Sequence, residues 1–290
     1  MSELFPIIAP VLLGVILGFF WGKRGLPYDS AFISNLVFNL GVPCLVFATL
    51  TRIDIDIGAF GIMAAAALAA LAGFLLATFL LLKIFGLKQK TYLATVMTPN
   101  TGNVGLPLCL LAFGEEGLAF GIIVYSLVAT AQFTFGLGMA AGTASPRAFA
   151  RIPLIYALAA ALIFVLTGTK PPLWIANSAK LIGEMSIPLM VITLGVSLAK
   201  LKFANAWTGL GLSVFRLAMG FGVGFAVAEL FGLEGVARGV LILQCAMPAA
   251  IFNYMLAMQF DNEPGNVAGV VFISTVLSFL TMPFLLSFVL

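Results

Sequence analysis

The sequence has no histidine, little charge and few cysteines. Aspartate, glutamate, lysine and arginine make up 9% of its residues, against about a quarter of an ordinary soluble domain. The absence of histidine removes the commonest general base and metal ligand. The net charge of +3 is scattered along the chain and forms no basic face of the kind that binds nucleic acid. These absences argue against a metal-dependent enzyme and against a nucleic-acid-binding protein.

The three cysteines are Cys44, Cys109 and Cys245, and all of them lie in apolar runs. Their spacing matches neither a metal site nor a CxxC redox motif, so we interpret them as small buried apolar side chains. An HExxH motif, a GxGD motif and an aspartate-rich metal motif are also absent. We therefore expect no catalytic activity and no cofactor.

Apolar residues dominate the chain, at 62% of its 290 residues, with a mean hydropathy of +1.17. A helix that crosses a bilayer needs about 20 apolar residues, and an open strand edge cannot persist in hydrocarbon. The sequence therefore predicts an all-α integral membrane protein with ten transmembrane helices. The predicted segments are 5–21, 30–50, 59–82, 90–113, 117–140, 153–168, 173–199, 206–231, 236–258 and 265–289.

Lysine and arginine residues are distributed unevenly between the two sets of loops. The loops after the odd-numbered segments contain Lys23, Arg24, Lys83, Lys88, Lys90, Arg147, Arg151, Lys200 and Lys202. The loops on the other side contain Arg52 and Lys170. Because cytoplasmic loops carry the excess of basic residues, we predict that both termini of this multi-pass protein of the cell membrane lie outside the cytoplasm.

The two halves of the chain resemble each other. Gly117, Gly121 and Ser126 recur as Gly265, Gly269 and Ser274 at a constant offset of 148 residues. The stretches 84–87 and 230–233 also match, as do the prolines of the second and seventh segments. An odd number of crossings per copy inverts the second copy in the membrane. We predict a first five-helix repeat at 1–140, a short cytoplasmic connecting loop at 141–152 and a second, inverted repeat at 153–290.

The fourth and ninth segments contain helix-breaking residues near their centres. Proline removes a helical hydrogen bond and glycine tolerates unusual torsion angles, so we predict breaks at Pro99, Gly105, Pro107 and Pro248. Broken backbone at membrane depth lines a polar cavity or packs in protein. For the isolated Pro43, Pro188 and Pro283, a simple packed kink is the favoured interpretation. The candidate substrate-binding residues are Asn39, Asn100, Thr101, Gly102, Asn103, Pro248, Ala249 and Asn253.

Among the ionisable residues inside predicted membrane segments, three lie away from the segment ends or could act as a pair, which makes each a functional hypothesis. Lys180 and Glu184 are four residues apart and either neutralise each other or serve a proton or substrate role. Arg216 lies deeper in its segment. It either extends to the surface, pairs with an acid from another helix or attracts an anionic substrate. Asn39 contacts either a helix partner or the cavity.

The interrupted segments resemble those of the auxin efflux carrier family, which includes plant PIN-type carriers and bacterial malate and malonate permeases. Residues 99–101 and 105–108 are similar to the family's PNT…GIPLL stretch. Residues 244–248 are similar to its QAALP stretch, and residues 42–43 and 194–195 also match family patterns. The resemblance covers the whole chain except the long central loop of the plant carriers.

This resemblance implies a fold related to the bile acid:sodium symporters, in which broken helices 4 and 9 cross. Helices 1, 2, 6 and 7 would form a scaffold, and helices 3–5 and 8–10 a mobile transport domain. Asn100 would contact a substrate carboxylate, while Pro99 and Pro248 would hold the crossing open. The sodium-coupled relatives have an acid where Gln244 falls. The neutral oxygens left for weak Na⁺ coordination belong to Asn103, Ser126, Thr130 and Gln244.

The predicted function is secondary transport of a small organic anion, a mono- or dicarboxylate or an auxin-like weak acid, by an elevator-type alternating-access mechanism. A sodium-coupled, bile-acid-like symporter is the alternative, and a channel ranks below both because pore-forming charge rings need oligomeric symmetry. We expect the partners to be the substrate and the lipid bilayer, with no nucleic acid. Coupling to Na⁺ or H⁺ and a homodimer through the scaffold helices stay open.

Overall fold

The protein is described by a computed structural model that covers residues 4–53, 56–141 and 152–290. Within these ranges the secondary structure is helical, and no strand is present beyond one isolated bridge. The helices are α1 (Phe5–Lys23), α2 (Ser30–Arg52), α3 (Ile57–Ile84), α4 (Gln89–Met97), α5 (Thr101–Ala140), α6 (Pro153–Thr167), α7 (Leu173–Lys200), α8 (Ala206–Leu230), α9 (Gly235–Cys245), α10 (Phe252–Gln259) and α11 (Pro264–Val289).

Seven of the described helices are long and apolar enough to cross a membrane, namely α1, α2, α3, α5, α7, α8 and α11. Large apolar side chains such as Leu173, Trp207 and Phe284 are more than three-quarters exposed on the outside of the bundle. Such a surface is stable only against lipid, because water would penalise the exposed apolar area. The prediction of an all-α multi-pass membrane protein is therefore confirmed.

Local sequence signals explain where several helices begin. The carboxylate of Asp29 accepts hydrogen bonds from the backbone nitrogens of Ala31 and Phe32, both at 3.0 Å, at the start of α2. Asp56 caps α3 and Asn205 caps α8 in the same way. Each side chain satisfies backbone donors that lack an intrahelical partner. The polar residues between the apolar segments thus define the helix ends.

Helix α5 contains a sharp turn at Gly114. This glycine has φ +67° and ψ −155°, which lies outside the helical region and favours glycine. Cys109 and Gly121 would lie about 18 Å apart in one straight helix. Instead, a β-carbon on Gly121 would lie 3.1 Å from Sγ of Cys109. The chain therefore folds back at Gly114 and α5 consists of two antiparallel limbs.

The helices pack in two groups. In the first, α1 lies along the second half of α7, and the second half of α2 packs against α6 and the first half of α7. In the second, α3, α8 and α9 pack against one another, with α5 against α3 and α9, α4 against α3, and α11 against α8. Glycines allow the closest approaches: a β-carbon on Gly195 of α7 would lie 2.7 Å from the backbone nitrogen of Phe19 in α1. Small residues serve this purpose in membrane helices generally.

The helix bounds follow the ten predicted segments, but three of those segments are not single long helices. The fourth corresponds to α4 plus the first limb of α5, and the ninth to α9 plus α10. The sixth is α6, whose 15 residues extend only about 22 Å. The predicted connecting loop at 141–152 lies almost entirely outside the described residues.

Candidate ligand-binding site

The two predicted breaks face each other in the structure. Helix α4 ends at Met97 before α5 begins, and α9 ends at Cys245 before α10 begins. Between them, Pro99 and Ala249 form an isolated antiparallel bridge. The backbone nitrogen of Asn100 donates to the carbonyl of Pro248 at 2.7 Å, and that of Ala250 donates to the carbonyl of Thr98 at 3.2 Å. Pairing with each other satisfies backbone groups that hydrocarbon would leave unsatisfied.

Four helix ends therefore meet around this bridge. Two of them, at the starts of α5 and α10, expose backbone N–H groups and carry the positive end of the helix dipole. The other two, at the ends of α4 and α9, expose carbonyls and carry the negative end. The Oδ1 atom of Asn100 accepts a hydrogen bond from the backbone nitrogen of Asn103 at 3.3 Å and so caps the first turn of α5.

A chamber lies beside the bridge, at the starts of α5 and α10. It is lined by residues of the two breaks and of helices α2, α5 and α7. Its volume is about 50 Å³, which holds about three or four water molecules. The polar side chains that line it belong to Ser34, Asn100, Thr101, Asn103, Tyr125, Gln132, Thr193 and Ser197. Within the described part of the chain, no lysine, arginine, aspartate or glutamate lines this chamber.

Asn100 lines the chamber and has a buried side-chain nitrogen without a hydrogen-bond partner in the ranges that the structure describes. Its side chain is 96% buried, and its Nδ2 atom has no hydrogen-bond partner among the described residues. A buried amide without a partner costs about 1–3 kcal/mol. A ligand oxygen that accepts a hydrogen bond from Nδ2 would remove that cost.

Three phenylalanine rings border both this chamber and a second, larger cavity of about 240 Å³. Phe38 of α2, Phe133 of α5 and Phe252 of α10 line both spaces, and their ring centroids lie 4.7–6.5 Å apart. The larger cavity continues to the start of α2 and to the start of α6. Phe38 lies in a π-helical turn at Val37–Gly41, a distortion that is frequent at functional sites.

The candidate substrate-binding residues divide between four places. Residues 100–103 line the chamber. Asn39 lies outside it, exposed in the larger cavity, where its Nδ2 atom donates to the carbonyl of Asn35 at 2.9 Å. Ala249 forms the bridge with Pro99, and the carbonyl of Pro248 accepts the hydrogen bond from Asn100 beside it; neither Pro248 nor Ala249 lines the chamber. Asn253 does not line the chamber, and its Nδ2 atom donates to Oγ1 of Thr98 at 2.8 Å.

Several chamber residues were not singled out from the sequence. Gln132 lines the chamber, and its Nε2 atom donates to Oδ1 of Asn253 at 3.2 Å. Thr193 of α7 also lines the chamber, and its hydroxyl forms a hydrogen bond of 2.6 Å with the hydroxyl of Tyr28. An amide in the middle of an apolar segment was the available signal for Gln132. No comparable signal marks Thr193, because hydroxyls are common in membrane helices.

Arg216 of α8 is fully buried and lies next to the carbonyls at the ends of α4 and α9. Its Nη1 atom donates to the carbonyls of Val96 at 3.0 Å and Met97 at 3.5 Å, at the end of α4. At the other break its Nε atom donates to Met247 at 3.3 Å and its Nη2 atom to Cys245. One side chain therefore joins the C-terminal ends of both interrupted helices.

Comparison with known proteins identifies the chain. A family model described as "Membrane transport protein" matches residues 4–150 and 139–286. The chain belongs to this family of membrane transporters, the auxin efflux carrier family. It is 30% identical to an "Uncharacterized transporter" of Methanothermobacter thermautotrophicus, with 95% of each chain covered. It is 26% identical to another such transporter, of Methanocaldococcus jannaschii, with 95% of this chain and 96% of the relative covered.

The neutral oxygens predicted for Na⁺ do not share one cavity in this transporter. Asn103 lines the chamber, but Ser126, Thr130 and Gln244 do not. The hydroxyls of Ser126 and Thr130 donate to carbonyls one turn earlier in α5, both at 2.7 Å. Gln244 lies between the two limbs of α5, with Nε2 3.4 Å from the carbonyl of Gly121 and Oε1 without a partner among the described residues.

The remaining charged candidates lie far along the helices from the chamber. Lys180 and Glu184 form an ion pair at 3.5 Å, and their side chains are 44% and 62% exposed. Together with Arg52 and Glu115 they line a separate crevice between α2, α5 and α7. The predicted breaks at Gly105 and Pro107 are wrong, because the helix is continuous there: Gly105 has helical torsion angles and packs against the amide of Gln244, and Pro107 fits in the first turn of the regular part of α5, which begins at Leu106.

Proposed function

We propose that this transporter is a secondary carrier of small organic anions that works by an elevator-type alternating-access mechanism. Membership of a transporter family supplies the general class. The observation that carries the substrate class is the buried, unpaired Nδ2 atom of Asn100 in a chamber where two helices begin. Partial positive charge and a free donor favour a carboxylate.

The size of the chamber supports a small substrate. At about 50 Å³ it accommodates a compact carboxylate but no steroid skeleton. Ligand sites are mostly apolar with a few well-placed polar groups, and the rings of Phe38, Phe133 and Phe252 supply the apolar part. This favours a mono- or dicarboxylate over a bile-acid-like substrate.

In the proposed architecture the chain crosses the membrane ten times as two inverted five-helix repeats. The fourth crossing consists of α4 and the first limb of α5, the fifth of the second limb, and the ninth of α9 and α10. Antiparallel pairing of Pro99 with Ala249 is the contact that two inverted copies make at their shared axis. The repeated residues at an offset of 148 support the same duplication.

The proposed movement takes place between the two helix groups. The scaffold consists of α1, α2, α6 and α7, and the transport domain consists of α3, α4, α5, α8, α9, α10 and α11. Both breaks and Arg216 lie in the transport domain, so the bridge moves as one unit. The triad of Phe38, Phe133 and Phe252 joins the two groups and controls access from the larger cavity. With both termini outside the cytoplasm, as the loop charges predict, that cavity opens to the cytoplasm.

The test is uptake of radiolabelled mono- and dicarboxylates into vesicles that contain the purified protein. We expect saturable uptake, which Asn100→Ala abolishes or strongly reduces while the protein stays folded. Asn177→Ala is the matched control, because Asn177 is exposed on α7 and does not line the chamber. Uptake by Asn100→Ala at the wild-type rate would contradict the site, and non-saturating flux would indicate a channel.

A further inference from the structure

Arg216 brings a full positive charge to the middle of the transport domain. Its guanidinium donates to carbonyls on both sides of the bridge, at the last turn of α4 and at the break that follows α9. It also lies 4.5 Å from the centre of the Phe74 ring in α3, a cation–π distance. The ion pairs among the described residues join Lys88 to Glu263, Lys180 to Glu184 and Arg238 to Glu229. Arg216 therefore has backbone carbonyls as its acceptors where a carboxylate would be usual.

The charges around Arg216 balance without an acid. A helix C-terminus is equivalent to about half of a negative elementary charge, so the ends of α4 and α9 together present about one. A single guanidinium compensates for that sum, and its five N–H donors are suited to several acceptors at once. A fully buried arginine without such compensation would be strongly destabilised.

The backbone is shaped to bring Arg216 to this place. A β-carbon on Gly220, one turn after Arg216 in α8, would lie 2.8 Å from Nη2 of Arg216 and 3.1 Å from Cα of Ala246. Gly220 therefore allows α8 to approach the break in the ninth crossing. Ser213, one turn before Arg216, donates to the carbonyl of Val270 at 3.1 Å and ties α8 to α11.

Arg216 does not line the chamber, so it does not contact the proposed substrate. The N-terminal helix ends face the chamber and the C-terminal ends face Arg216. Exposed carbonyls at the ends of interrupted helices are ligands that suit an alkali cation. In this chain the four carbonyls of Val96, Met97, Cys245 and Met247 are already engaged by a cation that is covalently part of the protein.

We propose that Arg216 is a positioning residue that takes the place of a coupling cation at the crossing of the two interrupted helices. It holds the two C-terminal ends together permanently, so the transport domain needs no Na⁺ at this position in either orientation. The consequence for transport, that the anion moves without sodium, rests on the proposed function. The occupation of the four carbonyls by Arg216 is independent of the proposed function.

The test is the thermal stability of the purified full-length protein in equimolar choline, sodium or guanidinium chloride. The variants are Arg216→Ala, which empties the site, and Arg216→Lys, which keeps the charge. Arg238→Ala is the matched control, since Arg238 pairs with Glu229 away from the breaks. We expect the wild type and Arg238→Ala to have the same Tm in sodium and choline. We expect Arg216→Ala to have a lower Tm, which guanidinium at millimolar, non-denaturing concentration raises by about 3 °C or more. We expect the Tm of Arg216→Lys, which keeps the charge but has three donors in place of five, to lie between those of Arg216→Ala and the wild type.

Each other outcome overturns the proposal. Stabilisation of the wild type by sodium over choline would mean that a cation site is still open at the crossing. An Arg216→Ala protein that responds to no cation, or an Arg216→Lys protein as unstable as Arg216→Ala, would mean that the shape of the side chain matters and its charge does not. If Arg216→Ala cannot be purified even with guanidinium present, the wild-type and Arg216→Lys measurements decide. None of these measurements requires transport, so they stay separate from a failure of the proposed function.

Discussion

Asn100→Asp should abolish anion binding and leave the fold intact, because the two ends of this side chain have different tasks. The Oδ1 atom caps α5 by accepting from the backbone nitrogen of Asn103, and aspartate caps helices as well as asparagine does. The Nδ2 atom is buried and unpaired, and in the variant an acceptor oxygen replaces this donor.

The loss of affinity follows from two terms. A hydrogen bond to a charged group contributes about 1.5–3 kcal/mol. Two carboxylates about 4 Å apart repel by about 4 kcal/mol at an effective dielectric constant of about 20. Together they weaken binding by about 5 kcal/mol or more, which is over about a thousandfold in Kd.

The assay is calorimetric titration of the purified variant with the carboxylate that the wild type binds, alongside Asn177→Asp as the control for added charge. The Tm of Asn100→Asp without ligand should lie within about 2 °C of the wild type. A Kd within about threefold of the wild-type value would refute the role of Nδ2. A collapse in Tm would refute the separation of the two tasks.

Two further predictions concern the packing of the helices and the loop charges. Gly195→Ala should lower the Tm by several degrees in a thermal melt, because its β-carbon would meet the backbone of α1 and overpacking costs about 1–3 kcal/mol. Gly222→Ala is the control and should leave the Tm unchanged, since a β-carbon there has no atom within 4 Å. Equal effects of the two variants would contradict the close contact between α1 and α7. The hydrogen bond from Lys88 holds the pKa of the Glu263 carboxyl below its ordinary value. The stability it contributes is therefore present above the ordinary carboxyl pKa and is lost as the pH falls through the lowered one. Because the Lys88 side chain is 72% exposed, this contribution stays below about 1 kcal/mol. Glu263→Gln should therefore slightly flatten the acid limb of a Tm-against-pH curve, and an unchanged acid limb would contradict this role of the pair.

The features that the sequence predicts well are those that depend on local composition. Ten long apolar segments with charged or proline-rich ends allow few structures other than membrane helices, and the helix bounds follow those segments within a few residues. The dense run from Pro99 to Pro107 marks a place where a helix cannot continue. Glycine and two acidic residues at 114–116 likewise separate the two limbs of α5.

The composition of the site depends on contacts between distant parts of the chain and was predicted less well. Thr193 reaches the chamber from α7 through the packing of the two helix groups, which leaves no local pattern. Gln132 of α5 does carry a local signal, an amide inside an apolar segment, but its neighbours depend on the same packing. Arg216 was expected to find an acid, the substrate or the membrane surface. Its partners are carbonyls that become available only when both breaks come together, so a pattern of side chains does not reveal them. Asn39 carries a suitable amide, but its position on α2 places it outside the chamber.

The most direct test of the anion site at Asn100 is a crystal structure with bound 3-bromopropionate, in which anomalous scattering from bromine locates the ligand independently of the protein density. We expect a bromine peak inside the chamber, with the carboxylate within hydrogen-bond distance of Nδ2 of Asn100 and the starts of α5 and α10. A bromine peak elsewhere in a protein that binds the compound, with the chamber unchanged, would contradict this expectation.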